Sequence, residues 1–575
     1  MDGAEPSHAR PAGLTPNLER IAKDGMRFSE FYVSAPRCTP SRASFFTGIS
    51  PAKLHMTYAN EGGKERRGSG EDASDASQRV VPPAPLKELP EEVPTTGALL
   101  QRQGYATAHF GKWHIGRIDP TRRGFDESDG PNTNQGPEPG APNPEECFAI
   151  TARGIEFMKA QVKAGKPFFL QLSHYGVGTE EEATPESYAE TMAALPRLSG
   201  KTLASAAGAR DMDQAIGQVL AALEELGIAR NTYMFYSADH GNQAGNAGRN
   251  SPGPNPPLSG GKGSVREGGI RAPFLALGPD IAAGTLCGQR ATCMDLLPTL
   301  LELAGAPLAK PRAIDALAAV EGGSLAQVLR STGAGKIART REEIVIHFPH
   351  YDLDNGGPAS AIFLGEWKLV RNYDSGAVTL HDIPKDREER HDVAREKPEK
   401  VQELLAKLDA YLVAVRAQMP TKAGEAPAQP APPVEPGQPG ERRGRGDKPR
   451  RGGGGGKRQQ GDAPWQAAPF QPFAPHMTIR HDAPWLYAES DGLPHAPLEF
   501  TMMKGIRARQ QQVPLPQAYR GTNAWQVPLM PKPASKPVDA RGAARGHPGD
   551  HARLVQTRAA LLARHTAGLR SRSRP

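Results

Sequence analysis

Cysteine is scarce in this 575-residue chain, which has four, at positions 38, 147, 287 and 293. That is too few and too scattered for a disulfide framework at this size. Long apolar runs are missing as well: no segment approaches the ~20 residues of a helical membrane span. The first residues, Met1 to Gly13, are polar and hold no apolar stretch from which a secretory signal could be read. Acidic residues do not balance basic ones, and the formal net charge of +7 suits an anionic partner, although one basic tail can produce such an average. Single cores stop growing near ~250–300 residues, so more than one region is expected. The 63 glycines and 56 prolines are concentrated late, which marks part of the chain as non-globular.

What is present begins with alternating helix and strand patterns. Leu18, Ile21 and Ala22 recur at helical spacing ahead of Gly25, with Thr15 and Pro16 reading as N-cap and first helical residue. Residues 60–95 are polar and rich in Gly, Ser and Pro, and predict a surface excursion. A helix over Thr96–Gln103, closed by Gly104, leads to a strand over Tyr105–Phe110, and a helix near 152–164 leads to a strand over Phe168–Ser173. Met212, Ile216, Val219, Leu223 and Leu226 mark a further helix, capped by Gly227, with a strand over Thr232–Tyr236 after it.

Such alternation predicts an α/β fold whose mostly parallel central sheet is flanked by helices, with ligands at the carboxyl ends of its strands. After an apolar helix over Met294–Ala304, short strands at Glu343–Phe348, Ala359–Leu364, Trp367–Arg371 and Val378–His381 predict a smaller antiparallel sheet, followed by a helix carrying Val401, Leu404, Leu405, Leu408 and Leu412. The plan is a main domain over 1–335 and an antiparallel-sheet subdomain over 336–420. A Pro/Gly/Arg-rich linker over 421–475, too poor in apolar residues to order itself, precedes a tail of low order over 476–575.

Three stretches carry chemistry. The first is Cys38-Thr39-Pro40-Ser41-Arg42, continuing through Ala43 to Thr47-Gly48. The second runs from Gly104-Tyr105 through Gly111-Lys112-Trp113-His114 to Gly116. The third pairs Asp239-His240-Gly241 with Gly260-Gly261-Lys262-Gly263 and Glu267-Gly268-Gly269-Ile270-Arg271, about twenty residues later. Taken singly they read blandly: Cys38 as a small buried thiol, Lys112 and His114 as a surface lysine and a core histidine, Asp-His-Gly as a common turn. Lys112 and His114 alternate across one residue, so an extended backbone predicts that they point to the same side.

Together the three stretches resemble the formylglycine-dependent sulfatase (arylsulfatase) family, matching its cysteine signature, its GYxTxxxGKWHxG segment and its DHG and GGKGxxxEGGxR elements. With Met294-Asp295-Leu296-Leu297-Pro298-Thr299 and Gly365-Glu366-Trp367-Lys368-Leu369, the resemblance runs from about residue 14 to 415. It implies the alkaline-phosphatase-like fold and the hydrolysis of aryl or carbohydrate sulfates. A formylglycine-generating enzyme would oxidise Cys38 to an aldehyde whose hydrate attacks sulfur with one hydroxyl and expels sulfate with the other, so the covalent intermediate turns over. Arg42 would steady that side chain, Lys112 and Lys262 would hold sulfate oxygens, and His114 would bind and deprotonate the formylglycine hydroxyl. Asp239, His240 and the modified Cys38 would hold a divalent cation, usually Ca²⁺. A periplasmic or extracellular location is expected by the same resemblance.

Two departures from the family pattern shape the remaining expectations. Relatives carry two adjacent metal-binding aspartates at the end of a strand preceding the first helix; Asp2 has no acidic neighbour, so a late start codon or a gene fragment, and with it a gap in the sheet, is expected. Gly178 stands where relatives place a sulfate-contacting histidine, and His174 lies four residues earlier. A phosphate or phosphonate ester hydrolase, or a catalytically impaired fragment, are the alternative readings. The run Arg442, Arg443, Arg445, Lys448, Arg450, Arg451, Lys457 and Arg458 could engage nucleic-acid phosphates, but its Gly and Pro content favours a solvated linker.

Overall fold

The computed structural model describes residues 14–59, 78–132, 146–175, 183–242, 255, 257–306, 319–352, 357–422 and 498–504. Asp2, Gly178 and the basic run between Arg442 and Arg458 lie outside them. The chain divides into compact units over 1–507 and 508–575, and every element below belongs to the first.

Proline at the first position starts α1 (Pro16–Asp24), and Leu18 and Ile21 face inward. Thr15 does not cap it through its side chain. The free N–H groups of Asn17 and Leu18 instead donate to the Asp213 carboxylate at 3.1 and 2.8 Å, so the cap comes from a distant helix and cannot be read from local spacing. α2 (Cys38–Thr47) follows, and the helices predicted next form as α3 (Thr96–Gln101), α4 (Cys147–Lys163), α5 (Gly200–Glu225) and α6 (Leu296–Leu303).

Among the described residues the large sheet has eight strands: β1 (Met26–Phe28), β2 (Ala106–Gly111), β3 (Glu127–Ser128), β4 (Phe168–His174), β5 (Thr232–Ala238), β6 (Phe274–Leu277), β7 (Thr285–Cys287) and β12 (Leu498–Lys504). Their order is β3-β2-β4-β12-β5-β6-β1-β7. β2, β4 and β5 are buried along their whole length, as apolar strands covered on both faces must be. Six of the eight strands run one way; β6 and β12 run against them. A second sheet of β8 (Ile344–Phe348), β9 (Ala359–Leu364), β10 (Trp367–Asn372) and β11 (Val378–Asp382) is wholly antiparallel and packs under α7 (Pro398–Ala414). These strands and helices follow the predicted pattern closely.

The gap expected in the main sheet is filled. β12 pairs antiparallel with β4 on one side and β5 on the other, setting Met502 opposite both Leu170 and Met234. A stretch lacking sustained periodicity, within the tail expected to be of low order, thus supplies a strand between two central ones. Backbone groups on the facing edges of β4 and β5 are paired by it rather than left open. Met502 is fully buried, and Met502→Ala is expected to lower unfolding free energy by ~2–5 kcal/mol in denaturant titration. An unchanged stability would detach β12 from the sheet.

Candidate active site

The site forms where β2 and β5 end at their carboxyl side, against the first turn of α2. Cys38 is the first residue of α2 and is 1% exposed. Its Sγ lies 3.0 Å from His240 Nε2, and it also hydrogen-bonds His114. Burial by itself pushes the Cys38 thiol up, but the charges of Lys112, Lys262 and His240 and the His114 contact outweigh it and hold the thiol well below its usual range. Lys112, His114, Asp239, His240 and Lys262, predicted from three separated stretches, are therefore assembled about one sulfur atom.

Two close backbone approaches make this possible. Gly111 ends β2 at φ +91, and a Cβ there would lie 2.1 Å from the Ser173 carbonyl, so only glycine lets β2 turn against β4 at this point. Gly241 packs against the Glu267–Ile270 turn, where a Cβ would stand 1.8 Å from the Gly268 carbonyl; its N–H donates to Gly269 at 2.9 Å. Lys112 and His114 do not meet Cys38 by strand alternation, as expected from their spacing. β2 has already ended, and His114 adopts the left-handed region at φ 57 with its N–H donating to the Asn132 carbonyl at 2.9 Å. The turn, rather than a pleat, brings both side chains to the same place.

Arg42 is fully buried and holds that turn from below. Its Nε donates to the Trp113 carbonyl at 2.9 Å and its Nη2 to the Lys112 carbonyl, while Nη1 stands 4.0 Å from Asp239 Oδ2. Burial lowers its guanidinium to about 10, against the opposing pull of Asp239 and Cys38. Lys112 and His114 are both pushed down, chiefly by burial.

Asp239 is 0% exposed, and neither carboxylate oxygen has a hydrogen-bond partner. Burial raises its pKa, although His240, Lys112 and Arg42 favour the charged form. A buried carboxylate with both oxygens unsatisfied fits a cation site. His240 Nδ1 lies 2.7 Å from the Gly241 carbonyl, which can only accept, so Nδ1 carries a proton, and Nε2 faces Cys38 Sγ at 3.0 Å and Asp239 Oδ1 at 3.3 Å. Ligand atoms of Cys38, Asp239 and His240 all lie within 4.8 Å of one another, the arrangement of a possible metal site.

His174, four residues before Gly178, does not join the cluster: it is buried at the end of β4 with Nε2 2.9 Å from Thr151 Oγ1 on α4. Burial depresses it to about 3, and it likewise lowers His350 to about 3 and His347 to about 4.

Two further groups were not singled out from the sequence. Arg37, the residue before Cys38, forms a buried ion pair with Asp352 and lies 5.5 Å from the Tyr58 ring centroid. Lys368 on β10 is buried between Glu267 (2.9 Å) and Glu389 (2.8 Å), and Glu389 accepts from Ser259 Oγ at 2.6 Å and from the Glu267 N–H at 2.8 Å. The turn carrying Lys262 is thereby bracketed by the antiparallel sheet. Glu267 and Lys368 lie in recognisable motifs, but nothing local pairs residues 101 positions apart.

The sulfatase family profile matches residues 7–306. N-acetylgalactosamine-6-sulfatase of Canis lupus familiaris is 31% identical over 343 residues, covering 54% of this chain and 61% of that protein. Arylsulfatase A of Homo sapiens is 28% identical over 392 residues, covering 63% of this chain and 70% of that protein. The chain thus spans about three-fifths of the N-acetylgalactosamine-6-sulfatases it matches. The crystal structure of Ps i-CgsB in complex with k-i-k-neocarrahexaose is 23% identical, covering 69% of this chain and 87% of its own, with a TM-score of 0.55. BT4656, solved in complex with its substrate D-glucosamine-2-N,6-O-disulfate, is 20% identical and covers 70% and 93%, with a TM-score of 0.50. Both likenesses concern the fold, which is alkaline-phosphatase-like.

Two outcomes check the energetics. Lys368→Met leaves Glu389 buried without its cation and Glu267 with Arg271 alone, and is expected to cost ~3–5 kcal/mol in chemical denaturation; a neutral result would show the triad to be solvated. His174, His347 and His350 are held neutral in the fold but protonate near ~6.5 when unfolded. Their contribution is complete above ~6.5 and is lost as pH falls toward their folded values, at about 1.4 kcal/mol per pH unit for each proton taken up. Stability that stays flat from pH 6.5 to 4 would contradict this. On the match of family profile, fold and assembled motifs, this chain belongs to the sulfatase family.

Proposed function

We propose that the chain hydrolyses sulfate esters, aryl or carbohydrate, at the site built around residue 38. The observation that carries this reading is the convergence on the Cys38 sulfur of Lys112, Lys262, His114 and His240, from elements up to 224 residues away in sequence (262 − 38). When formed from Cys38 by a formylglycine-generating enzyme, formylglycine supplies a hydrate whose hydroxyl can attack sulfur and whose collapse frees the enzyme. The site suits a divalent cation, for which we propose Ca²⁺ in the converted protein. Asp239 would contribute its unpartnered carboxylate and residue 38 an oxygen, while His240 lies alongside; the cation would supply positive charge for sulfate oxygens.

The chain's own groups perform the rest. Lys112 and Lys262 flank residue 38 and supply charge-assisted hydrogen bonds to anionic ester oxygens, which count for more in a buried site than in water. His114 is in hydrogen-bond contact with residue 38 and is held toward its neutral form by burial and by Lys112, so it can accept a proton from a hydroxyl there. Arg42 takes no part in proton transfer; it fixes the Lys112–Trp113 backbone and so the aim of both Lys112 and His114. Sulfated sugars and sulfated aryl or steroid alcohols present the same anionic group to this arrangement. Residues near the site, among them Arg37, Tyr58 and Asp352, are candidates to select among them. A periplasmic or extracellular setting is proposed on the family resemblance.

Protein co-expressed with a formylglycine-generating enzyme is expected to hydrolyse an aryl sulfate in preference to the matched aryl phosphate. Cys38→Ser should abolish turnover, and His114→Ala should lower kcat by ~10²–10⁴. A clear phosphate preference would move the assignment to a phosphate or phosphonate ester hydrolase. Absence of both activities in protein whose Cys38 peptide carries the aldehyde by mass spectrometry would make it a catalytically impaired member.

A further inference from the structure

Residue 38 has two chemical states, and the structure shows the site with a thiol in place. In that state the groups facing one another are a sulfur, an imidazole nitrogen and a carboxylate. Sγ of Cys38 is 3.0 Å from Nε2 of His240, and Nε2 is 3.3 Å from Oδ1 of Asp239. The donor atoms of all three residues fall within 4.8 Å of one another, and each residue is buried.

Tetrahedral zinc, with bonds of ~2.3 Å to sulfur and ~2.0–2.2 Å to nitrogen and oxygen, places its ligand atoms roughly 3.3–3.6 Å apart. The sulfur–nitrogen and nitrogen–oxygen separations lie near that range, and the sulfur and the carboxylate are within 4.8 Å of each other. The imidazole is oriented as a metal ligand requires: its Nδ1–H donates to the Gly241 carbonyl at 2.7 Å, which leaves Nε2 as the ring nitrogen facing the cluster. The Asp239 carboxylate is fully buried with both oxygens unpartnered by hydrogen bonds.

Calcium does not match this set. It takes six to eight oxygens and neither thiolate nor imidazole by preference, whereas thiolate and imidazole together select zinc or a similar borderline ion. Among the described residues Asp239 is the single carboxylate in the cluster.

We infer that, with residue 38 unconverted, Cys38, Asp239 and His240 form a three-ligand site for zinc-class divalent ions. The fourth position is open to water or a small anion. Lys112 and Lys262, whose positive charges face Cys38, favour the anion. Conversion of the thiol to an aldehyde removes the sulfur ligand, so the same step that creates the proposed nucleophile shifts the metal preference from zinc toward an oxygen-seeking cation. The inference does not depend on hydrolase activity, which is a property of the converted protein.

The test uses the full chain produced without a formylglycine-generating enzyme, with the Cys38 thiol verified by mass spectrometry, and Co²⁺ as the spectroscopic probe. One equivalent of Co²⁺ is expected to give a sulfur-to-cobalt charge-transfer band and the intense visible bands of a tetrahedral ion. Stoichiometric Zn²⁺ should remove them, and excess Ca²⁺ should not. Cys38→Ser should abolish the charge-transfer band while Cys147→Ser retains it, and Asp239→Asn should weaken Zn²⁺ binding by more than about tenfold. X-ray absorption of the zinc-loaded wild type, which needs no variant, should show one sulfur scatterer near ~2.3 Å. A charge-transfer band that survives Cys38→Ser, an octahedral cobalt spectrum, a zinc shell without sulfur, or displacement by Ca²⁺ would each overturn the site. None of those results bears on sulfate-ester hydrolysis by the converted protein, and loss of that activity would leave the zinc site standing.

Discussion

Buried charge is the constraint on which this structure turns. Cys38, Arg42, Lys112 and Asp239 are each at most 1% exposed, and no one of them could be placed there alone. An isolated ion in a protein interior neutralises or unfolds its surroundings; a set of opposite charges offsets the loss of water, provided the geometry is held. Here the holding is done from the backbone. Arg42 spends its guanidinium on two carbonyls of the Lys112–Trp113 turn, and the turn in turn delivers Lys112 and His114 to the sulfur. Unlike a surface ion pair, this assembly is little weakened by salt, because solvent does not reach it.

The folds that surround the cluster follow from the need to bring four chain segments to one point. β2 and β5 end there because open α/β sheets leave a crevice at their carboxyl edge. Gly111 and Gly241 then let backbones approach to distances that any side chain would block. Among the described residues the antiparallel sheet contributes no group to the Cys38 cluster, yet its Lys368, with Glu389 beyond its last strand, clamps the turn bearing Lys262. Its role is that of a brace whose removal would free a catalytic candidate it never touches.

How much of this was legible in the sequence differs with the range of the interaction. Helices and strands with a regular apolar period, such as α5 and β8 to β11, were readable because their burial pattern is local. The site residues were readable because resemblance supplies pairings that spacing cannot: Cys38, Lys112, His114, Asp239, His240 and Lys262 do meet. What escaped depended on distant partners. Asp213 caps α1 from 196 residues away, and the Lys368 triad joins elements with no common period. β12 has no alternation to announce it, since a central strand is covered on both faces and shows none. His114 misled in a more instructive way: the right neighbours were inferred from an extended backbone, and the structure reaches them through a left-handed turn.

Burial of the signature has a consequence in time. Cys38 is 1% exposed and Arg42 is fully buried, with Thr39 and Ser41 also enclosed, so no second protein can grip this stretch once the domain has closed. Part of the surrounding structure comes late in the chain: Glu389, which clamps the Lys262 turn, lies 351 residues downstream of Cys38 (389 − 38). At ~5–20 residues per second, a ribosome needs roughly 20–70 s to cover that distance. The signature thus emerges well before the clamp exists, and during that interval the growing chain lacks a contact that the folded domain places beside it.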